Sequence, residues 1–437
     1  MTDTYENNVG GAAGLERSLR SRWRIVFFLF GLAFLHGLVV NLMPVMFRTI
    51  GKTFDVDKAA QGLLVSTFML GSVAGLIVAG YLTVYMGVKR ISVLGCIVAG
   101  AGSFLFGLSK TYVLTLISAG IISLGISPVI PCYAAIIAAN FEDIRQRMYM
   151  WSYAVFAGSA TIATAVLGVL LDELPSYSII FVSIGLFFWL WIAILLIVAR
   201  ESVDGKARKS QALHGADSPK TTFHEKLAAL RLLSSGIFAT GSLYLLAILI
   251  ICDYASETNK GAWLPTLFSE TYKSTAWLGG MALSASSAGV CLGRILMGAL
   301  PPGKIPDRIL LGCTYLINVI SFTLLLALKP DCMTALTLIF LCGASISAQA
   351  PTMGSLAIAK FGKRAPIVTP MVEAVGNFCG LIGPPLVGLV AMEVGGLSEA
   401  LWFIPVAGLM LSMTAFLWEI YDRKHGINDK TSNPSTE

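Results

Sequence analysis

Twelve stretches of roughly 20 to 30 residues, almost free of charge, follow one another from Trp23 to Tyr421. Each is long enough to cross a hydrocarbon core about 30 Å thick. They are read as spans 25–47, 59–82, 91–109, 112–138, 148–171, 177–199, 236–260, 276–299, 309–328, 332–359, 366–392 and 400–421. Backbone polar groups in lipid must bond within a helix or a closed barrel, and a barrel would show short alternating segments instead. The fold class expected is an all-α polytopic membrane protein. With 56% hydrophobic and 13% charged residues, the chain lacks the polar surface of a soluble globule.

The basic residues orient these spans, because cytoplasmic connections retain Lys and Arg. With the amino terminus inside, the inside segments hold 24 of the 31 basic residues, among them Arg17 to Arg24, Lys89, Arg90, Arg200 to Arg231 and Arg423. Both termini are thus expected in the cytoplasm, with the protein in the plasma (inner) membrane. The net charge of +6 follows from those loops, so the lipid bilayer is the expected partner and nucleic acid is not. The first span is too long for a signal-peptide core and lacks a small-residue cleavage site, so it is expected to remain as a helix. The eight cysteines stand singly, mostly inside spans, without metal-ligand spacing. No cofactor or metal is expected.

One connection differs in kind. Residues 200–235 carry seven basic residues with Gly205, Gly215 and Pro219, and read as a cytoplasmic linker. The expected organisation is a tail at 1–24, a six-helix bundle at 25–199, the linker, a second six-helix bundle at 236–421 and a tail at 422–437. A shift of 220 residues puts Ile126, Ser127 and Pro131 on Ile346, Ser347 and Pro351, and Gly168 and Glu173 on Gly388 and Glu393. A shift of 218 puts Gly71, Gly75 and Gly80 on Gly289, Gly293 and Gly298. The same six-span offset recurring along the chain marks two parallel repeats.

Local motifs add a resemblance. The segment Gly80-Tyr81-Leu82-Thr83-Val84-Tyr85-Met86-Gly87-Val88-Lys89-Arg90 resembles the glycine-and-basic motif between the second and third helices of the major facilitator superfamily. It departs from that motif at Val84, where the family has Asp, and at Tyr85, where the family has a basic residue. Tyr254-Ala255-Ser256-Glu257 with Gly261-Ala262-Trp263, the Gly293-Arg294 pair and Pro351-Thr352 resemble the fucose:proton symporter-like group within it. The resemblance implies two six-helix parallel repeats around a midplane site, with Gly80, Gly87, Lys89 and Arg90 in gating. Arg294 is assigned to gating from its place at the cytoplasmic end of the eighth span, where its side chain can snorkel to helix ends. The carboxylates that proton-coupled fucose carriers hold in their first and fourth helices are missing here.

An ionisable side chain at the centre of a membrane helix costs roughly 2.5–3.5 kcal/mol on insertion scales, so each needs a reason. Asp253, Glu257 and Lys260 lie on one stripe of the seventh span and are assigned to proton coupling. The plain alternative is that the span ends near Asp253 and the cluster is solvated. Trp263, Leu264 and Leu267 continue the apolar pattern beyond it. Glu373, alone in the eleventh span and without a cation neighbour, is the leading candidate for releasing the coupled proton to the cytoplasm. His36, Asn41, Trp263, Gln349 and Asn377 are the substrate-binding candidates, since amides both donate and accept and an indole face suits a sugar ring. Pro384-Pro385 reads as a bend.

No glycine-rich loop ending in Lys-Ser or Lys-Thr is present, so energy must come from a gradient or the solute. No nucleophile and base pair is recognisable, and an enzyme is not expected. The expected function is secondary active transport of a small polar organic solute such as a sugar, by alternating access with proton symport, in a monomer. The alternatives are an exporter of amphipathic compounds or a gradient-independent uniporter.

Overall fold

The computed structural model describes residues 3–141, 144–174, 176–198, 241–299, 306–347, 349, 352–353, 356, 360–361 and 365–424. The side chains of 3–21, 79–85, 134–135, 138–139, 145–146, 198, 298–299, 365–371 and 373–374 lie outside the description. The first bundle holds α1 (Asp3–Val40), α2 (Leu42–Phe54), α3 (Lys58–Met86), α4 (Val88–Gly107), α5 (Tyr112–Ile126), α6 (Val129–Asn140), α7 (Arg145–Glu173) and α8 (Tyr177–Val198). The second holds α9 (Gly241–Thr271), α10 (Ala276–Ala299), α11 (Asp307–Leu328), α12 (Cys332–Ile346), α13 (Ala365–Glu393), α14 (Leu397–Ala400) and α15 (Phe403–Lys424). Among the described residues, eleven segments are long and apolar enough to cross a membrane, and Cys332–Ile346 is a shorter apolar helix. The linker 200–235 lies outside the described residues.

Proline places the breaks. The first span splits at Asn41 (φ −107°, ψ 12°) and continues to Phe54 rather than ending at residue 47. Pro44 lacks the N–H that would bond the Val40 carbonyl, and α1 stops at Val40. The fourth span splits at Ser127, whose carbonyl loses the donor of Pro131 and accepts from Ile130 N at 3.1 Å instead. The tenth span breaks at the equivalent Ser347, four residues before Pro351. The seventh helix runs past the expected end at Lys260 to Thr271, because Ala262, Trp263, Leu264, Leu267 and Phe268 supply a buried apolar face.

The repeat is carried by the backbone. Adding 220 to the ends of α5 and α7 gives the ends of α12 and α13. Helix caps repeat too: Thr111 accepts from Leu114 N and Asp331 accepts from Thr334 N, each three residues on. Inside each bundle one glycine pair lets two helices touch. A methyl on Gly71 or Gly75 of α3 would overlap or crowd the carbonyls of Gly120 and Leu124, and one on Gly289 or Gly293 of α10 those of Phe340 and Ala344. Those four carbonyls are themselves related by 220.

The bundles meet along two seams, α7 with α10 and α3 with α13, and α2 with α9 adds a smaller contact. The shifts map α3 onto α10 and α7 onto α13, so the two seams are one interface built twice. Ser66 Oγ donates to the Leu381 carbonyl at 2.5 Å and Ser284 Oγ to the Thr161 carbonyl at 2.9 Å. Gly62 faces the backbone of Pro384 as Gly280 faces that of Thr164, and Gly388 faces Lys58 as Gly168 faces Ala276.

Candidate functional site

The acidic stripe of α9 is inside the second bundle. Lys260 is 2% exposed, and its Nζ donates to Glu257 Oε1 at 2.7 Å. Asn318 of α11 donates to the same oxygen at 3.0 Å and to the Cys342 carbonyl of α12 at 3.4 Å. The Tyr315 hydroxyl, one turn before Asn318, donates to Asp253. The residues between these on α9 look elsewhere: Tyr254, Thr258 and Asn259 meet Gly376, Gly380 and Gly383 of α13. α9 and α11 thus meet at two carboxylates and one ammonium, and Asn318 ties α12 to them. The solvated reading of this cluster does not hold for Lys260, which lies in mid-helix and is buried. Tyr315 and Asn318 escaped the sequence reading, although their spacing of three on an apolar span was a visible signal.

The substrate candidates are dispersed. His36 of α1 is 9% exposed, packs on Phe156 with ring centroids 4.7 Å apart and on Tyr133 at 6.2 Å, and its Nδ1 meets no partner. Asn41, at the break between α1 and α2, donates to Ser287 Oγ of α10 at 3.3 Å and so bridges the bundles. Gln349 is buried with its Nε2 unpartnered. Trp263 is fully buried, its indole N–H donating to the Pro384 carbonyl at 3.0 Å and its ring edge-on to Phe47. Both faces of that indole are therefore packed against protein. Asn377 is half-buried on α13, whose helix runs unbroken through Pro384-Pro385.

Among the gating candidates, Gly87 takes φ 83° at the turn between α3 and α4, a conformation other residues rarely adopt. Arg90 is exposed and Lys89 half-buried. Arg294 donates to the Tyr153 carbonyl of α7 at 3.1 Å and covers the Tyr153 ring at 5.1 Å, joining the two bundles. Gly80 falls in α3 and Glu373 in α13, but their surroundings lie outside the described residues.

One end of the molecule, carrying the turns after Phe54 and Thr271, is sealed. Asp172 at the end of α7 accepts from the Ala276 and Trp277 amides at 3.0 and 2.8 Å, capping α10 from the opposite bundle. Lys58 pairs with Glu270 at 2.9 Å, and Arg48 donates to the Ser274 carbonyl. The Ser66 bond has a cause in the sequence: Leu381 is four residues before Pro385, so its carbonyl has no helical donor and takes the serine instead. At the other end a buried ion group holds the second bundle together, Arg308 pairing with Glu419 at 2.9 Å and Asp422 at 2.7 Å and Lys360 with Asp422.

Residues 28–364 match the Major Facilitator Superfamily. The chain belongs to that family. It is a secondary transporter rather than an enzyme, held in a membrane by its helices. Among solved structures, it is similar to a bacterial homologue of the human lysosomal transporter Spinster in an inward-facing, unoccupied conformation. The TM-score is 0.59 at 14% identity, covering 95% of this chain and 99% of that one, so the likeness is one of fold. No curated protein matches the sequence.

Proposed function

We propose that this transporter is a proton symporter for a small polar organic solute of the sugar-like class, related to the fucose:proton symporter-like group, with both termini in the cytoplasm of a plasma (inner) membrane. The observation that carries the reading is the network that joins half-buried Asp253 and Glu257 to buried Lys260, Tyr315 and Asn318. Two half-buried carboxylates beside one buried ammonium leave room for one proton. A proton arriving on Glu257 Oε1 neutralises the acceptor that Lys260 and Asn318 share, loosening α9 from α11. Because the network sits within one bundle, the proton and the solute in the cleft occupy separate places, as symport requires. Glu373 stays as a second coupling candidate. The sealed end is then the outer gate, opened when the bundles rock about their two seams.

Purified protein in proteoliposomes tests this. An inward proton gradient is expected to drive accumulation of a member of a panel of sugars, polyols and hydroxy acids, and collapsing the gradient to stop it. Flux indifferent to the gradient would leave a uniporter.

A further inference from the structure

The serine and glycine contacts of the two seams repeat position for position, and, the Asp172 cap aside, the repeat is broken at one level. There, Arg294 of α10 matches Leu76 of α3, and Tyr153 of α7 matches Glu373 of α13. One seam alone thus has a basic residue at this depth. Arg294 is partly buried, and no carboxylate pairs with it among the described residues. Its partners among the described residues are one carbonyl and one ring face, both of Tyr153. A guanidinium has five N–H donors, and withdrawing them from water without an anion is costly. The surroundings are built: Tyr153 packs on Phe156 at 6.3 Å, Phe156 on His36, and His36 on Tyr133. The His36 Nδ1 in this group is buried and unpartnered. The seam is also more loosely packed here. A Cβ on Gly158 would meet only the Cys291 Sγ at 3.9 Å, whereas the same seam at Gly168 and Gly280 is closed by backbone.

We infer that Arg294 anchors an anionic group of the transported solute, so that the solute is a small hydroxylated carboxylate rather than a neutral sugar. The inference rests on the carrier reading above. The fork of Arg294 takes the carboxylate, the rings of Tyr153 and Phe156 carry the carbon skeleton, and His36 Nδ1 meets a hydroxyl. The solute then bridges α10 of one bundle and α1 and α7 of the other at the level where the seam opens.

Thermal unfolding of the full chain in detergent, with three matched pairs of compounds, tests it: glucuronate and glucose, glycerate and glycerol, lactate and 1,2-propanediol. A carboxylate of the panel is expected to raise the Tm of the wild type while its neutral mate does not. In Arg294→Gln the apparent affinity for that carboxylate is expected to fall about ten- to a hundredfold. Arg294→Lys, which keeps charge but loses the fork, is expected to retain the preference with a smaller loss, and serves if the glutamine variant does not fold. The inference is overturned if no carboxylate acts, if neutral mates act equally, or if Arg294→Gln binds the carboxylate as well as the wild type. Stabilisation by neutral mates alone would sink the anion and leave the carrier. Absence of flux for every compound, with or without a gradient, would sink the carrier itself.

Discussion

Lys260 shows how a single residue divides fold from function. Its ammonium is almost wholly enclosed and bonded to Glu257. Removing one partner of such a pair leaves an unpaired buried charge, which costs about 3–5 kcal/mol, whereas removing both with apolar groups of similar volume is often neutral. Lys260→Met is therefore expected to lower stability strongly and Lys260→Met with Glu257→Met to recover most of the loss, measured by thermal unfolding. An equal loss in both would mean that the pair serves packing alone. A second residue-scale expectation concerns the repeated cap. The Thr334 hydroxyl and amide hold the Asp331 carboxyl below its usual range, so the cap is intact above that range and lost as pH falls through the lowered value. Amide exchange at the start of α12 is expected to quicken in acid in the wild type and to stay flat in Asp331→Thr, which copies Thr111. Acid sensitivity that persists in the variant would place its origin elsewhere.

The helices were largely legible in the sequence because length and apolarity suffice to define a span in lipid. Their orientation and the offset of the two repeats were read from loop charges and small residues, whereas ends such as Phe54 and Thr271 were not. The break at Asn41 was not read, although Pro44 announced it, since a proline inside a span often leaves the helix intact. The partners of the α9 acids were hidden for a different reason: Tyr315 and Asn318 meet them across some sixty residues of chain, and no local period reports that. The symmetry of the seams sharpens one expectation. Ser66 serves the Leu381 carbonyl, which Pro385 leaves without a helical donor, while Ser284 serves Thr161, whose carbonyl faces Ala165 four residues on. Ser66→Ala is expected to weaken the sealed end by about 1–3 kcal/mol and Ser284→Ala by about 0.5–1.5 kcal/mol. Spin-label distances between cysteines at Asp57 and Lys273, on a background free of the native cysteines, read the difference as a larger open population in Ser66→Ala. Equal populations would show that the proline-orphaned carbonyl has no special weight.

At the scale of the whole molecule, duplication explains the scaffold and its violations mark the chemistry. The glycine contacts, the serine bonds and the caps obey the repeat. The acid and amide network of α9, α11 and α12, the cation at Arg294 and the cap supplied by Asp172 do not. The central claim is that the proton is carried by the Glu257 network inside one bundle while the solute lies between the two. Glu257→Gln, which holds the neutral state at nearly constant volume, separates the two processes. In proteoliposomes, the mutant is expected to exchange solute across the membrane at a rate near that of the wild type but to accumulate none under an inward proton gradient. Gradient-driven accumulation by Glu257→Gln equal to that of the wild type would contradict the account.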